Sequence, residues 1–577
     1  LAAFQSRVPI VPAKAALVVA PEGMLVEELT GDAFERAVGD LTGDREPEAL
    51  VQDLVDAIDA AAEDDRVQAL VLVTEDLTGG GLTKLSAVAR AVQEFRKTGK
   101  KVYSWGQYVT QQQYYLMAQA DEVYLEPIGA VGVEGFASIQ PYFRTALDKL
   151  GVTVNAFRSG AYKSLAEPFI RSDMSPEIKA ETSELLAALW QSYTAGVAGP
   201  RQLEPGALDA YVTKPVELLK AAGGDAAAMA ERSGLVTGRK TWNEFEALVA
   251  KTVGEDEDEH SFNAIDHETY LAAVRPERAL ERHPAGQVAV VTATGTILDG
   301  SQSPGTIGGD TLGAVLREAL HDDDVKAVVL RIDSGGGSVL ASEVIRQQVE
   351  ALRQGGKPVV ASFSSIAASG GYYIATAANE IWAEPTTITG SIGVIAFVPT
   401  FEGLVQKVGV SFDGVATSDL AAATRLDQPL SPQLKELLQV GVDHEYGNFL
   451  RLVADARRKT PEEIDPIAQG RVWVGTKAKE LGLVDQLGGL PEAIQAAARL
   501  AGLEEGTYGV DHRQQPMSWR EQLVRDFGAA SVRTAARLGL VEPRPSAVER
   551  LIAGVDRELT RLAAFNDPRH LYYWCNC

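Results

Sequence analysis

A serine followed by two glycines stands inside an otherwise apolar stretch, IAASGGYYIA, at residues 366–375. Ser369 precedes a helical pattern, so its hydroxyl could be an N-cap, which is the more frequent role of such a serine. An N-cap needs no glycines after it, whereas a nucleophile benefits from them. The next backbone N–H can bind an oxyanion, and the missing side chains let a substrate carbonyl approach. The pattern therefore favours Ser369 as a nucleophile, with the N–H of Gly370 beside it.

A second glycine-rich turn, SGGGS at residues 334–338, follows the strand pattern AVVLRID and precedes a helical pattern. Glycines at such a turn let a ligand approach the backbone and leave N–H groups pointing outward at a helix N-terminus. Similar turns close many α/β units that have no catalytic role. On local evidence alone the two interpretations are equally good.

A nucleophilic serine needs a base, and histidine is the usual one. None of the seven histidines lies in a glycine-rich turn or in a repeated motif. A Ser-His-Asp arrangement stays open, but no motif points to it. Lysine can act instead when burial keeps its amine neutral. Lys163, in RSGAYKSLAEPF, has an unusually apolar setting for a residue type that is mostly solvated.

The two halves of the chain repeat one pattern at a spacing of 258 residues, since QYYLMAQADEVYLEP begins at residue 113 and GYYIATAANEIWAEP at residue 371. In this register Ser369 falls opposite Gln111, and Lys163 falls opposite Ala421. Each half therefore holds one member of a Ser/Lys pair and lacks the other. Duplication followed by complementary loss explains this division.

Short β-branched runs such as KPVVASF alternate with helical patterns such as LASEVIRQQVEALRQ. This alternation is typical of βαβ units around parallel sheet, so we predict an α/β protein of two tandem duplicated domains. The predicted division is an N-terminal repeat with the lysine at residues 1–254, an acidic linker at 255–285, a C-terminal repeat with the serine at 286–505 and a helical C-terminal extension at 506–577.

Composition excludes several classes of function. The formal net charge is −25 and no suitable Lys/Arg run occurs, which argues against nucleic acid as a partner. No G-x-x-x-x-G-K-[ST] motif is present, so an ATP-driven protease is disfavoured. The two cysteines, in the final CNC, provide no disulfide framework. No apolar stretch of about 18 residues occurs, and the start at Leu1 rather than Met leads us to expect an upstream signal or anchor segment.

These motifs give the chain a specific resemblance. GAYKSLAEPFIRSDMSP around Lys163, DSGGGSVLASEVIR, ASGGYYIA around Ser369 and TGSIGV resemble the long, duplicated form of signal peptide peptidase A, a membrane-associated Ser/Lys protease family of bacteria. The resemblance implies a ClpP/crotonase-like fold in both halves, a homotetramer, no metal and no cofactor. It also implies that the substrates are peptides, namely cleaved signal peptides, and that the protein lies at the periplasmic side of the bacterial inner membrane.

The resemblance also implies a role for each residue of the site. Ser369 attacks the peptide carbonyl and Lys163 acts as its general base. The oxyanion is bound by the N–H of Gly370 and by one from the glycine turn, with Gly337 as first choice and Gly336 as second. Ser391, in GSIG, orients the lysine amine, although a plain turn serine is an equally simple interpretation.

The turn at residues 333–337 departs from the family pattern, because it reads Asp-Ser-Gly-Gly-Gly where the family commonly has Asn-Ser-Pro-Gly-Gly. Loss of the proline is expected to loosen the turn, and the aspartate adds charge. Two other functions stay open. A crotonase-type acyl-CoA enzyme would also use glycine-rich turns but would need neither the serine nor Lys163, and a non-catalytic membrane scaffold would keep the fold for assembly.

Overall fold

The computed structural model describes residues 9–32, 45–256, 260–278, 285–513 and 571–575, together with the single residues 35, 36, 39, 43, 258 and 567. Within them the chain divides into two compact units. The first comprises Leu1–Leu29, Glu46–Ala137 and Ala187–Arg282, and the second comprises Thr30–Arg45, Ser138–Leu186 and His283–Cys577. Lys163 therefore belongs to the same compact unit as Ser369. The boundaries at 254, 285 and 505, which follow the sequence repeat, stay predictions.

The strands, in chain order, are β1 (Ala15–Val19), β2 (Gly23–Val26), β3 (Glu48–Leu50), β4 (Val67–Val73), β5 (Leu77–Gly79), β6 (Lys101–Thr110), β7 (Glu122–Gly132), β8 (Thr153–Ser159), β9 (Gly238–Arg239), β10 (Glu255–Asp256), β11 (Ser261–Phe262), β12 (Ala264–Asp266), β13 (Gln287–Thr294), β14 (Thr296–Leu298), β15 (Thr306–Gly308), β16 (Val325–Ser334), β17 (Gly336–Ser338), β18 (Val359–Ala368), β19 (Glu380–Ala383), β20 (Ile388–Gly390), β21 (Val394–Thr400), β22 (Val472–Val474), β23 (Gln486–Leu487), β24 (Gly509–Arg513) and β25 (Leu571–Trp574).

The α-helices are α1 (Val51–Glu63), α2 (Leu82–Lys97), α3 (Gln111–Met117), α4 (Arg144–Leu150), α5 (Glu167–Ile170), α6 (Pro176–Arg201), α7 (Ala207–Thr213), α8 (Pro215–Ala221), α9 (Ala226–Arg232), α10 (Trp242–Val253), α11 (His267–Arg278), α12 (Gly309–His321), α13 (Val339–Gln354), α14 (Gly370–Ala375), α15 (Glu402–Lys407), α16 (Asp419–Ala423), α17 (Pro432–Arg457), α18 (Pro461–Ile464), α19 (Gly475–Glu480) and α20 (Leu490–Leu500). None of the helices within the described residues is long and apolar enough to cross a membrane.

The first unit is built on six strands in the order β12-β1-β4-β6-β7-β9, and every pair in this sheet is parallel. Its central strands read as continuous apolar runs because helices cover the sheet on both faces. Helix α2, for example, buries Leu85, Val88, Val92 and Phe95 at helical spacing. These contacts place the core of the unit between sheet and crossover helices.

The second unit contains two sheets. The larger has eight strands. Six of them follow the order β22-β20-β18-β16-β13-β24, in which all pairs are parallel except β20 with β22, while β19 pairs with β18 and β23 pairs with β19. The other has the order β15-β14-β17-β25-β21-β8. In the larger sheet β16 ends at Ser334 and its parallel neighbour β18 ends at Ala368. Because parallel strands end at one edge, the glycine turn and Ser369 lie at the same edge of the sheet.

The predicted duplication is visible in the elements. Strands β4 and β6 begin 258 residues before β16 and β18, and helix α6 begins 256 residues before α17. Each unit thus contains the same succession of parallel strands and crossover helices. The predicted α/β class with parallel βαβ units in both halves is confirmed.

The segment 255–285 differs from the solvated linker that its charge predicts. Its described part contains β10, β11, β12 and α11, and β12 pairs in parallel with β1. Phe262, Ile265 and Tyr270 are buried there, so apolar residues spaced among the charges fix the segment to the first unit.

The predicted helical extension at 506–577 carries strands in its described part, namely β24 and β25. Strand β24 adds in parallel to β13 at the edge of the large sheet. The helices predicted between these strands, from residue 514 onward, lie outside the described residues.

Candidate active site

Ser369 lies at a tight turn between β18 and α14. Its φ is 54° and its ψ is −113°, a conformation that residues with a Cβ rarely adopt. The main chain fixes it, because the Ser369 N–H donates to the carbonyl of Gly390 at 2.8 Å and the Ser369 carbonyl accepts from the N–H of Tyr373 at 2.8 Å. The side chain makes no N-cap hydrogen bond. The N-cap interpretation is therefore wrong, and the hydroxyl points into the site.

The loop that carries Lys163 is positioned by β8, which pairs antiparallel with β21 along its whole length. The N–H of Tyr162 then donates to the carbonyl of Gln469 at 2.8 Å. Gly470 follows at φ 80°, and a Cβ built on it would lie 2.7 Å from the backbone nitrogen of Lys163. Only glycine allows this close approach of the two backbones.

The amine of Lys163 is enclosed by oxygen atoms of two serines. Its Nζ lies 2.6 Å from the Oγ of Ser369, 2.9 Å from the carbonyl oxygen of Ser391 and 3.1 Å from the Oγ of Ser391. The structure thus brings together the three side chains that the sequence singled out. An uncharged amine at this distance can accept the hydroxyl proton of Ser369.

Burial sets the electrostatics of the amine. The side chain of Lys163 is 2% exposed, and this desolvation holds the pKa of Lys163 well below the ordinary value for lysine, whereas the nearby carboxylate of Glu181 acts to raise it. The desolvation dominates, so the amine loses its proton at a much lower pH than a surface lysine does.

Ser391 occupies a strained turn immediately after β20. Its φ is 49°, and its N–H donates to the carbonyl of Arg471 at 2.7 Å. This bond aims both oxygens of Ser391 at the Lys163 amine. A surface turn serine would not be 2% exposed with its hydroxyl engaged in this way, so the plain-turn interpretation does not describe its environment.

The three glycines predicted to bind an oxyanion lie against one another. A Cβ built on Gly370 would lie 3.0 Å from the Cα of Gly336 and 3.1 Å from the nitrogen of Gly337. The N–H of Gly336 donates to the Oγ of Ser334 at 3.1 Å, and this donor is thereby engaged within the turn. Gly337 is at φ 156°, where a Cβ would meet the carbonyl oxygen of Ile297 at 1.9 Å, so no other residue fits.

The turn that lacks the family's proline is fastened by side chains instead. The Oγ of Ser334 donates to the carbonyl of Gly295 at 2.6 Å. The carboxylate of Asp333 accepts the N–H of Ile366 at 3.0 Å, joining β16 to β18 across their shifted register. These bonds compensate for the conformational freedom that three glycines introduce.

Glu181 is a residue of this site that sequence reasoning missed. It lies on α6, is 7% exposed, and accepts the N–H of Val472 at 2.6 Å. Burial raises the pKa of Glu181 to about 7, while the hydrogen bond from Val472, Arg471 and Lys163 act to lower it. The available signal was the repeat: MSPEIKAE carries Glu181 where LSPQLKEL of the second half carries Leu437.

Arg471 precedes the residue whose N–H Glu181 accepts, and its charge acts to lower the pKa of Glu181. Its guanidinium pairs with Glu184 at 2.7 Å and lies over the rings of Tyr162 and Trp473 at 5.4 and 4.2 Å. Its carbonyl accepts the N–H of Ser391, so the same residue holds the serine that contacts the lysine and lowers the pKa of Glu181 through its charge.

No histidine among the described residues is hydrogen-bonded to Ser369, whose hydroxyl has Lys163 as its partner. The described residues also contain no group of three or more His, Cys, Asp or Glu side chains able to hold a metal ion. His283 and His570, two of the seven histidines, lie outside the described residues. The described geometry therefore offers lysine, and not histidine, as the base.

A family model and two relatives show which proteins the chain is similar to. A profile described as "Peptidase family S49" matches residues 94–250 and 351–504, one segment in each half. The chain is 38% identical to "Protease 4" of Salmonella typhi, covering 98% of this chain and 90% of that protein. It is 36% identical to "Protease 4" of Haemophilus influenzae, covering 94% and 88%. The solved structure "ClpP1 from Listeria monocytogenes" aligns with 16% identity over 36% of this chain and 94% of its own, at a TM-score of 0.23.

Replacement of Glu181 by glutamine is expected to shift the pH dependence of the site. Removing the negative charge lowers the pKa of Lys163 further, so the acid limb of the pH profile of kcat/KM for peptide hydrolysis should move to lower pH by up to about one unit. The amide oxygen of glutamine can still accept the Val472 N–H, which preserves the contact between α6 and β22. The measurement is hydrolysis of a fluorogenic peptide from about pH 5 to pH 10.

Glu177→Gln, an exposed position on the same helix, serves as the matched control and should leave the limb in place. If Glu181→Gln has the melting temperature and the acid limb of the wild type, the carboxylate does not act on the lysine.

Proposed function

This chain belongs to peptidase family S49 and is a serine endopeptidase, and we propose that it cleaves peptides by a Ser369/Lys163 dyad through an acyl-enzyme. The observation that carries the proposal is the 2.6 Å contact between Lys163 Nζ and Ser369 Oγ in a site where the amine is buried. Burial keeps the amine able to accept a proton, and the contact gives it the proton of the nucleophile.

In the first step the Oγ of Ser369 attacks the peptide carbonyl while Lys163 accepts the hydroxyl proton. The tetrahedral intermediate collapses when the lysine passes that proton to the leaving amine, which breaks the C–N bond and leaves an ester on Ser369. Water then attacks the ester, again with Lys163 as base. The proton returns to Ser369 as the acid product departs, and both residues regain their starting states.

The oxyanion of the intermediate is bound by backbone N–H groups of the glycines. Gly370 opens helix α14 directly after the nucleophile, and Gly337 lies beside it. Gly336 is the weaker choice because its N–H already donates to Ser334. Two donors fixed by the backbone need no reorganisation when the negative charge develops.

The substrates proposed are cleaved signal peptides, which are extended and apolar once released from their precursors. This substrate class and the placement at the periplasmic side of the inner membrane come from the resemblance to signal peptide peptidase A. The apolar surroundings of the dyad support it, since Leu165 and Ala166 follow the lysine and are buried.

A homotetramer is proposed for the same reason, and the second unit offers a surface for it. Seven large apolar side chains between residues 404 and 426 are exposed, namely Leu404, Val408, Val410, Phe412, Val415, Leu420 and Leu426. In the repeat this stretch corresponds to residues 146–168, which pack into a compact unit beside β21. We infer that residues 404–426 pack in the equivalent way on a second copy of the chain.

Removal of either member of the dyad is expected to abolish peptidase activity. Ser369→Ala and Lys163→Ala should each lower kcat/KM for an apolar fluorogenic peptide by at least about a thousandfold, because the two groups act as a unit. In the wild type kcat/KM should rise with pH as Lys163 loses its proton and level off well below the ordinary pKa of lysine. Ser183→Ala and Lys179→Ala, at exposed positions on α6, are the matched controls.

Full activity in either dyad variant would show that the dyad is wrong. A wild type that processes an acyl-CoA thioester and cleaves no peptide would favour the crotonase-type enzyme. A folded wild type with neither activity would favour the scaffold.

Ser391→Ala is expected to lower kcat about tenfold and to leave KM unchanged. The variant removes the Oγ that lies 3.1 Å from the lysine amine but keeps the carbonyl contact, so the amine is held less firmly without loss of substrate contacts. Steady-state kinetics together with thermal unfolding check this. A rise in KM alone, or a loss of activity that follows a lower melting temperature, contradicts the positioning role.

The combined substitution Val408→Asp and Phe412→Asp is expected to dissociate the assembly into smaller species, because charges would enter an apolar contact. Light scattering after size-exclusion chromatography gives the mass. Leu500→Asp, which changes a side chain 39% exposed at the end of α20, is the control and should leave the mass unchanged. An assembly that survives the double substitution would place the interface elsewhere.

A further inference from the structure

Residues 469–471 lie between the two chain segments that hold the lysine amine. On one side the carbonyl of Gln469 accepts the N–H of Tyr162, the residue before the base, at 2.8 Å. On the other side the carbonyl of Arg471 accepts the N–H of Ser391 at 2.7 Å. This stretch, referred to below as the 469–471 turn, is therefore bonded to the neighbours of the amine on both sides, and its position sets the distance between the lysine and the serine that contacts it.

Gln469 has a backbone conformation that is unusual for its residue type. Its φ is 55°, in the left-handed region that glycine adopts without strain. The side chain provides what a glycine would lack, because its Oε1 accepts the N–H of Ala161 at 3.3 Å and its Nε2 donates to the Oδ1 of Asp465 at 2.7 Å. A backbone N–H can only donate and an ionised carboxylate can only accept, so these two partners fix the orientation of the amide. The amide thus ties the lysine loop, residues 160–163, to Asp465.

The 469–471 turn is anchored to the core by Tyr446. This residue lies on α17 and is 9% exposed. Its hydroxyl accepts the N–H of Gln469 at 3.2 Å and donates to the Oδ1 of Asp465. Burial and the neighbouring Asp465 raise the pKa of Tyr446 well above its ordinary value, so the hydroxyl keeps the proton that it donates. Gln469, Tyr446 and Asp465 thus form a closed set of hydrogen bonds that begins in the core and ends at the lysine loop.

The lysine loop lies in direct backbone contact with Gln469. Gly160 has a φ of 115°, and a Cβ built on it would lie 2.6 Å from both the carbonyl carbon and the carbonyl oxygen of Gln469. The N–H of Lys163 in turn donates to the carbonyl of Gly160 at 3.3 Å. A shift of Gln469 is therefore transmitted to the lysine backbone. Since the lysine Nζ and the Ser369 Oγ are 2.6 Å apart, a displacement of about 1 Å removes the contact through which the proton passes.

The burial of the amine depends on the same position of the loop. The side chain of Lys163 is 2% exposed, and its loss of hydration is the main reason that the pKa of Lys163 is low. The charge of Glu181 opposes this effect and favours the protonated amine. A loop that moved outward would admit water to the amine, and the amine would then keep its proton to a higher pH.

We propose that Gln469 is a positioning residue for the base: its side chain holds the lysine loop at the distance from Ser369 at which the amine can accept the hydroxyl proton. Gln469 acts through its bonds to Ala161 and Tyr162 and not on the reacting atoms. This inference rests on the proposed dyad and adds the residue that sets the geometry of the dyad from outside it.

The test is the substitution Gln469→Ala, which removes both side-chain hydrogen bonds and keeps the main-chain ones. With an apolar fluorogenic peptide, kcat should fall at least about tenfold and KM should stay unchanged, because the dyad is displaced and no substrate contact is lost. The acid limb of the pH profile of kcat should move to higher pH, because a less buried lysine keeps its proton longer. Gln433→Ala, at an exposed position near the start of α17, is the matched control and should leave kcat, KM and the acid limb unchanged.

Gln469→Gly covers the case in which the alanine variant does not fold. Glycine adopts the φ of 55° at this position without strain, so the turn keeps its backbone while the side-chain bonds are lost, and kcat and the acid limb should change as they do for alanine. If a folded variant has the kcat and the acid limb of the wild type, or loses kcat with the acid limb in place, Gln469 does not position the base. Lys163→Ala separates that result from a failure of the dyad. Full activity of Lys163→Ala would show that the dyad is wrong, whereas its inactivity beside a Gln469→Ala that behaves as the wild type would leave the dyad standing and the positioning role wrong.

Discussion

The second unit depends on one constraint, which is that the amine of Lys163 is held out of water with no carboxylate bonded to it. Burial of a charged lysine is costly, so the folded chain favours the neutral amine. The structure satisfies that amine with oxygen atoms alone, from Ser369 and Ser391. Each of these serines has a positive φ, and each is fixed by a main-chain hydrogen bond, Ser369 to the end of β20 and Ser391 to the residue before β22. The strained backbone is thus the structural requirement for presenting oxygens to a buried amine.

The same requirement explains why the compact units and the sequence repeat do not coincide. The lysine loop must enter the unit that carries the serine, and β8 brings it there by pairing with β21. The loop then needs Gly470 for a backbone contact closer than a Cβ permits. The division of the two residues between the repeats has a structural counterpart, because one compact unit needs a segment from each half of the sequence.

Much of this was predictable from the sequence. Strands β16 and β18, the glycine turn and the serine turn have local patterns, and the repeat identified Lys163 against Ala421 and Ser369 against Gln111. Glu181 was not predictable from its own surroundings, because a carboxylate on an amphipathic helix has the pattern of a solvated residue. Its burial depends on β22, almost 300 residues later. The position of β25 in the sheet was equally unpredictable, since the pairing of LYYW with GGS depends on long-range register and not on periodicity.

Gly336 lets a strand of the chain itself lie against the turn beside Ser369. The position of its missing Cβ lies 2.0 Å from the carbonyl oxygen of Tyr573 in β25, so the two main chains meet there at contact distance. Strand β25 is paired along both edges, with β17 and with β21. A strand can take such a place only when its two edges are both free. A strand inside a folded sheet has already used those edges. The place that β25 fills therefore admits an unpaired segment and not a strand that is already part of a folded sheet.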